Sequence, residues 1–329
     1  VEKIGESRAL IALAIATMVL TMVGVFVDVS VITVSPIALA IAHKSGLSKP
    51  AILLAMVGGG KAGNIMSPNP NTIAAADNLG VSLTNVMIAG IVPAIFGVII
   101  TCILASRIKQ KGSLVESDEH MKELTDMPGF LPAMVGPLVA IILLMLRPIA
   151  GIAIDPLIAL PVGGICGILA MGKIKHINKY ATYGLAKMSG VAILLIGTGT
   201  LAGIIANSGL KDVIISGINA LGLPSFMLAP VSGILMSAAT ASTTSGTAVA
   251  TSVFGPTIVQ LGVAPLATAA MIHAGATVLD HLPHGSFFHA TGGSVSMDMK
   301  ERLKLIPYES LVGLTMTIVS TIIFGIILK

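Results

Sequence analysis

The chain contains no tryptophan, its aromatic residues make up 3% of the total, and Asp, Glu, Lys and Arg together only 10%. So little charge excludes a solvated or disordered chain, and the scarcity of Trp and Tyr leaves the aromatic belts common at membrane interfaces nearly absent. Two cysteines, Cys102 and Cys166, lie far apart inside apolar stretches, so they read as small packing residues and no disulfide framework is expected. Alternating strand patterns are missing, which argues against a β-barrel. What fills the chain is apolar: hydrophobic residues are 54%, mean hydropathy is +0.97, and 36 Gly and 17 Met fit closely packed helices. Runs long enough to span a bilayer recur from end to end, so the fold class is an all-α polytopic membrane protein. A pI near 9 could suggest nucleic acid, but the basic residues fall in short loops between spans, where topology explains them.

The apolar units are Ala9 to Ala42, interrupted at Asp28 to Ser30; Pro50 to Ala76, interrupted by Gly58-Gly59-Gly60-Lys61-Ala62-Gly63-Asn64-Ile65-Met66-Ser67-Pro68-Asn69-Pro70-Asn71-Thr72; and Leu83 to Ser106. A charged loop, Arg107 to Pro128, precedes the pair Gly129 to Pro148 and Ile152 to Met171, and a basic loop, Gly172 to Lys187, precedes the span Met188 to Asn207. Ser208 to Gly222 reads as a short amphipathic surface segment. Leu223 to Leu261 is interrupted at Thr240 to Thr247, Pro265 to Gly292 at Asp280 to Ser286, and Ile306 to Leu328 closes the series. Loops are short, so residues 1–329 read as one transmembrane domain. The glycine and proline run after Val57 predicts a broken helix whose unwound backbone, Lys61 and three Asn line a cavity.

Adding 215 to a position pairs Ser30 with Ser245, Pro50 with Pro265, Met56 with Met271, Gly60 with Gly275 and Pro68 with Pro283, without a gap. This predicts a repeat, about 9–106 and about 223–328, with helices about 129–207 between them. Each repeat reads as an interrupted apolar hairpin, a loop, a broken helix and a plain span. After the first hairpin tip only about a dozen apolar residues remain before His43, roughly 18 Å of helix against a core near 30 Å, which predicts a re-entrant half-crossing; two short tilted spans in place of each hairpin are the alternative that keeps the same parity of loops. Loops placed on alternate sides gather Arg8, Lys44, Lys49, Arg107, Lys109, Lys111, Lys122, Lys173, Lys175, Lys179, Lys187, Lys300, Arg302 and Lys304 on one face, and leave Arg147, Lys211 and Lys329 on the other. The first face is then cytoplasmic, and the repeats are inverted.

The candidate site follows from the breaks. Ser30, Lys61, Asn64, Ser67, Asn69, Asn71 and Thr72 come from the first repeat; Thr243, Thr244, Ser245, Gly246, Thr247, His284 and Ser286 come from the second. Hydroxyls, amides and helix N-termini can hold a carboxylate or sugar hydroxyls, and Lys61 is the best candidate to pair with an anionic substrate, with snorkelling or neutralising an Asp as its alternatives. Asp28, Asp280 and His281 are the candidates for proton coupling, because carboxylate and imidazole exchange protons in the physiological range. His273 and His289 read either as relay groups or as satisfied caps of a broken helix. The histidines and Asp280 lack a recognised metal-ligand spacing, no cofactor motif is present, and no nucleophile and base stand at an enzyme's spacing. A channel is disfavoured because the polar groups gather at two breaks and do not line helices along their length.

The motifs Gly59-Gly60-Lys61-Ala62-Gly63-Asn64 through Pro68-Asn69-Pro70-Asn71-Thr72-Ile73, the Ser/Thr hairpin with Gly246-Thr247-Ala248, and Asp280-His281-Leu282-Pro283-His284-Gly285-Ser286-Phe287-Phe288 followed by Lys300-Glu301-Arg302-Leu303-Lys304 resemble the gluconate permease family of the ion transporter superfamily. The resemblance covers nearly the whole chain. It implies an elevator-type carrier with inverted repeats, two re-entrant hairpins and two broken helices, and proton-coupled uptake of gluconate or a related hydroxy-carboxylate across a bacterial inner membrane. Where gluconate carriers of that family have a His-Pro-rich first break and an Asp after the second-break His, this chain has Lys61, Asn64 and His284, so Na⁺ coupling by unwound carbonyls stays open. A homo-oligomer is a further expectation. The chain begins with Val, and its first hairpin lacks the full span that precedes the second, so upstream scaffold helices are expected to be missing; no cleavable signal pattern is present.

Overall fold

A computed structural model of the chain describes residues 6–115, 129–152, 154–220 and 222–328. Among these, regular structure is helical throughout, apart from a single antiparallel bridge between Ser48 and Leu114. The helices are α1 (Glu6–Met22), α2 (Val27–Ser45), α3 (Lys49–Asn64), α4 (Pro70–Leu79), α5 (Leu83–Ala89), α6 (Ile91–Arg107), α7 (Phe130–Ala150), α8 (Pro156–Ala170), α9 (Ile177–Ala206), α10 (Leu210–Ala220), α11 (Leu228–Thr240), α12 (Thr243–Val253), α13 (Gly255–Gln260), α14 (Pro265–Gly275), α15 (Ser286–Ser294) and α16 (Met299–Thr321). Among the described residues, three stretches, Val27–Ser45, Leu83–Arg107 and Met299–Ile327, are long and apolar enough to cross a membrane. Their outer faces carry bare aliphatic stripes at helical spacing, Ile91, Ile95, Ile99 and Ile103 on α6 and Leu311, Leu314, Ile318 and Ile322 along and just beyond α16, as a lipid-facing surface requires.

The chain divides into two compact units. One, residues 122–197, holds α7, α8 and most of α9; in it Gly136 and Gly163 let α7 and α8 approach so closely that a Cβ on Gly163 would sit 2.7 Å from the Gly136 carbonyl oxygen. The other, residues 1–121 and 198–329, holds everything else, including the candidate site.

That larger unit is built around α3, every residue of which is buried, and α14, buried from Ala267 to Gly275. Helices α1, α2, α6 and α16 pack on α3; α11, α12, α16 and α4 pack on α14. The partners then cross over, with α2 resting on α15 and α12 on α4. Each broken helix is thereby covered at one end by the hairpin preceding it and at the other by the hairpin of the opposite half.

Several sequence expectations shift here. Gly58, Gly59, Gly60 and Lys61 do not break their helix; α3 runs unbroken to Asn64, and the chain unwinds only over residues 65–69. The glycines serve close approach: a Cβ on Gly59 would overlap the Ala14 carbonyl, one on Gly63 the Thr21 hydroxyl, and one on Gly58 the Thr101 side chain. The first hairpin turns at residues 23–26, with Gly24 at φ +104°, so the turn precedes Asp28 to Ser30, and these residues form the first turn of α2. Helix α2 is 19 residues long, about 28 Å, which makes it longer than the half-crossing expected. The second hairpin turns at Ala241 and Ser242, so Thr243 to Thr247 are helical. Most of the expected basic loop 172–187 is also helical, because α9 begins at Ile177. Arg302 belongs to α16 and is buried, so it is not a loop charge that sets topology. Residues 116–128 of the charged loop lie outside the described residues.

Candidate functional site

Both unwound segments follow from local chemistry. Beyond Asn64, Pro68 and Pro70 deny the backbone donors a continuing helix needs, and the chain restarts at α4 with Asn69 as its cap. The Asn69 carboxamide oxygen accepts from the Asn71 amide at 3.0 Å, the Thr72 amide at 3.1 Å and the Thr72 hydroxyl at 3.1 Å. Its Nδ2 donates to the Asn64 carbonyl at 2.7 Å, the Asn64 side-chain oxygen at 2.6 Å and the Ser67 hydroxyl at 2.6 Å. One asparagine thus ties the end of α3 to the start of α4. In the second half, α14 stops at Gly275, and Pro283 lies in the unwound segment before α15.

The two breaks meet at Lys61. Its ammonium donates to the Thr277 carbonyl at 2.8 Å, beyond the last turn of α14, to Asp280 Oδ1 at 2.6 Å, and contacts His281 Nδ1 at 2.8 Å. Lys61 is 1% exposed, His281 0% and Asp280 5%, so the charges are removed from water and must be compensated internally. The other oxygen of Asp280 accepts from the Thr243 hydroxyl at 2.5 Å, which fastens the first residue of α12 to the break. His281 Nε2 lies 3.1 Å from the Ile306 carbonyl and 3.3 Å from Ser310 Oγ. A carbonyl can only accept, so the proton belongs on Nε2 and Nδ1 is left to accept from Lys61. Asp280 Oδ1 is also 3.0 Å from that same Nδ1. Lys61, His281 and Asp280 therefore form a closed triangle of buried polar groups.

A second buried pair completes the charge balance. Arg302 grips Glu309 with bonds of 2.5 and 3.1 Å, and Glu309 Oε2 lies 4.0 Å from His281 Nδ1. Arg302 also donates to the Thr291 hydroxyl at 3.2 Å and lies over the Phe288 ring, 4.8 Å from its centre. With His281 neutral, two cations face two carboxylates. Sequence reading overlooked Glu309 and Arg302. The available signal was a carboxylate inside the apolar run from Ile306, with an arginine seven residues earlier on the same helical face.

The remaining sequence candidates are placed differently from one another. Asn71 joins the halves directly, its side-chain oxygen accepting from the Thr244 hydroxyl at 2.5 Å. Ser30, Ser245 and Thr247 are buried with hydroxyls that find no partner, and Ser30 and Ser245 are one of the pairs 215 positions apart. Gly246 permits close packing, since a Cβ there would lie 2.7 Å from the backbone of Ser237. Asp28, His284 and Ser286 are not joined to the Lys61 cluster: the Asp28 carboxylate accepts from the neighbouring Val29 amide at 2.8 Å, and His284 and Ser286 are exposed. His289 is exposed and its Nε2 lies 2.7 Å from the Pro283 carbonyl.

Buried charges at the meeting of two interrupted helices, inside an apolar all-helical fold, are the arrangement of a membrane transporter. The known proteins similar to this chain agree. A model of the GntP family permeases matches residues 1–327. A protein of Haemophilus influenzae (strain ATCC 51907 / DSM 11121 / KW20 / Rd) described as an uncharacterized transporter is 68% identical over 325 residues, covering 98% of this chain and 78% of its own length. With the match running from the first helix to the last, the chain belongs to the GntP permease family.

Proposed function

We propose that the chain carries gluconate or a related small hydroxy-carboxylate across a bacterial cytoplasmic membrane together with a proton. The observation that carries this reading is the buried triangle of Lys61, Asp280 and His281, latched to α12 through Thr243. A cation strengthens the binding of an anionic substrate, and Lys61 is already occupied by Asp280. Protonation of Asp280 removes that competitor, so Lys61 is released to a substrate carboxylate only when a proton has been taken up. Proton and anion then enter as a pair, and neither binds well alone. The unpartnered hydroxyls of Ser30, Ser245 and Thr247 and the asparagines of the first break supply partners for the substrate's hydroxyl groups.

An inverted-repeat, elevator-type architecture accords with the helix order. Helices α1 to α6 and α11 to α16 follow the same sequence of hairpin, broken helix and long span, and the exchange of α2 onto α15 and α12 onto α4 is what a two-fold axis in the membrane plane produces. The helices of 129–207 would be its scaffold.

The test is uptake of labelled gluconate by the full-length protein in vesicles, driven by a proton gradient and then by an equal sodium gradient. Accumulation under the proton gradient alone is expected. Accumulation only under sodium reassigns the coupling ion to the unwound carbonyls, and none under either sends the substrate back to other small carboxylates.

A further inference from the structure

An ammonium has three N–H donors, and Lys61 meets three acceptors, all from one unwound stretch of the other half: the Thr277 carbonyl at 2.8 Å, Asp280 Oδ1 at 2.6 Å and His281 Nδ1 at 2.8 Å. Each acceptor is held in place by something other than the lysine. Asp280 Oδ2 accepts from the Thr243 hydroxyl at 2.5 Å, and His281 Nε2 stands 3.1 Å from the Ile306 carbonyl. The Thr277 carbonyl lies past the end of α14 at Gly275, and α16 backs it at Gly313, where a Cβ would overlap its oxygen. Three acceptors therefore converge on one buried point by virtue of their own supports.

The chemistry of that point selects its occupant. One carboxylate and two neutral acceptors balance a single positive charge, so a divalent ion would remain undercompensated in the interior. The distances are also longer than the roughly 2.0–2.1 Å at which zinc or magnesium binds nitrogen and oxygen, and they suit an N–H donor carrying charge. Lys61 reaches the point from α3, with its side chain 1% exposed.

We propose that the Thr277 carbonyl, Asp280 and His281 form a binding site for a monovalent cation of the ammonium kind, and that Lys61 is its tethered occupant. Shortening Lys61 opens the site to a free ammonium ion without rearranging the break. While Lys61 is in place, no dissolved cation enters. The charge that a coupling cation would bring is thus built into α3, and the proton on Asp280 is the cation left to vary. That consequence rests on reading the chain as a proton-coupled carrier; the occupancy of the site does not.

The experiment is thermal unfolding of Lys61→Ala, the full chain in lipid nanodiscs, in ammonium chloride and in choline chloride of equal ionic strength, choline being too bulky for the site. The expected result is a saturable rise in melting temperature with ammonium, about 2–5 °C at ten times the half-saturating concentration. The rise is absent in the parent, whose site is filled, and in Lys61→Ala with Asp280→Asn, which lacks the carboxylate. Equal melting of Lys61→Ala in the two salts overturns the proposal, as does a rise of the same size in the parent or in the double variant. Where Lys61→Ala does not fold in choline, recovery of folded protein in ammonium is the expected result, and recovery in neither overturns it. Sodium-driven uptake would overturn the proton reading and leave this result untouched.

Discussion

Lys61 and Asp280 are separated by 219 positions in the chain and by 2.6 Å in space, and each is withdrawn from water. Removing either partner strands the other charge at membrane depth. Lys61→Gln and Asp280→Asn are each expected to destabilise the protein by about 3–5 kcal/mol, whereas the double variant recovers most of the loss. Thermal unfolding in nanodiscs reads the stability, and uptake reads the function. Uptake stays absent in the double variant, because a pair needed only for folding would be dispensable once replaced by two amides.

Thr243 fixes α12 to Asp280 by one hydroxyl. A hydrogen bond to a charged group contributes about 1.5–3 kcal/mol, so Thr243→Val should shift the KM for uptake by about ten- to a hundredfold, while Thr243→Ser, which keeps the hydroxyl, stays near the parent. Equal behaviour of the two variants would show that the hydroxyl latch does not set the KM.

Ser30 and Ser245 have buried hydroxyls without partners. Deleting an unsatisfied hydroxyl does not lower stability, since the desolvation penalty goes with it. Ser30→Ala and Ser245→Ala should therefore melt at or above the parent temperature and yet bind substrate about five- to tenfold more weakly, for a lost bond of about 1 kcal/mol. A fall in melting temperature would make these serines structural.

Arg302→Met leaves Glu309 alone in the interior and should cost about 3–5 kcal/mol; Arg302→Met with Glu309→Leu should cost far less. Differential scanning of the two variants against the parent separates these outcomes.

Gly58 and Gly59 differ in what opposes them. A methyl at Gly59 meets the Ala14 backbone, which cannot move aside, whereas one at Gly58 meets the Thr101 side chain. Alanine gains about 1 kcal/mol of helix propensity at either site, so the clash decides the sign. Gly58→Ala is expected to be rescued by Thr101→Ala, and Gly59→Ala to be rescued by no side-chain truncation; expression and melting temperature check both.

The order of spans was legible because hydropathy and proline are local signals, and Pro68 and Pro283 do mark the unwound segments. Gly58 to Gly60 misled for the opposite reason. Whether glycine ends a helix or lets another backbone reach it depends on Ala14 and Thr101, which lie far away in the sequence. Lys61, Asp280, His281 and the hydroxyl tips stood out as costly residues in apolar surroundings, and both fates of Lys61 were in view. Its pairing with Asp280 needed the fold. Glu309 and Arg302 were hidden by their place near the end of a span, where a charge reads as topology until its partner two turns away is seen.

The charges of the triangle are shared unevenly between the halves. Position 61 plus 215 is Ala276, and positions 280 and 281 minus 215 are Ile65 and Met66, so the cation comes from one half and its acceptors from the other. Each half synthesised alone would enter the bilayer with an unanswered polar group, and only co-insertion answers both. Divided into two polypeptides, the molecule would behave as a pair of mutually dependent fragments, each the other's counter-ion, and two copies of either half could not stand in for the whole.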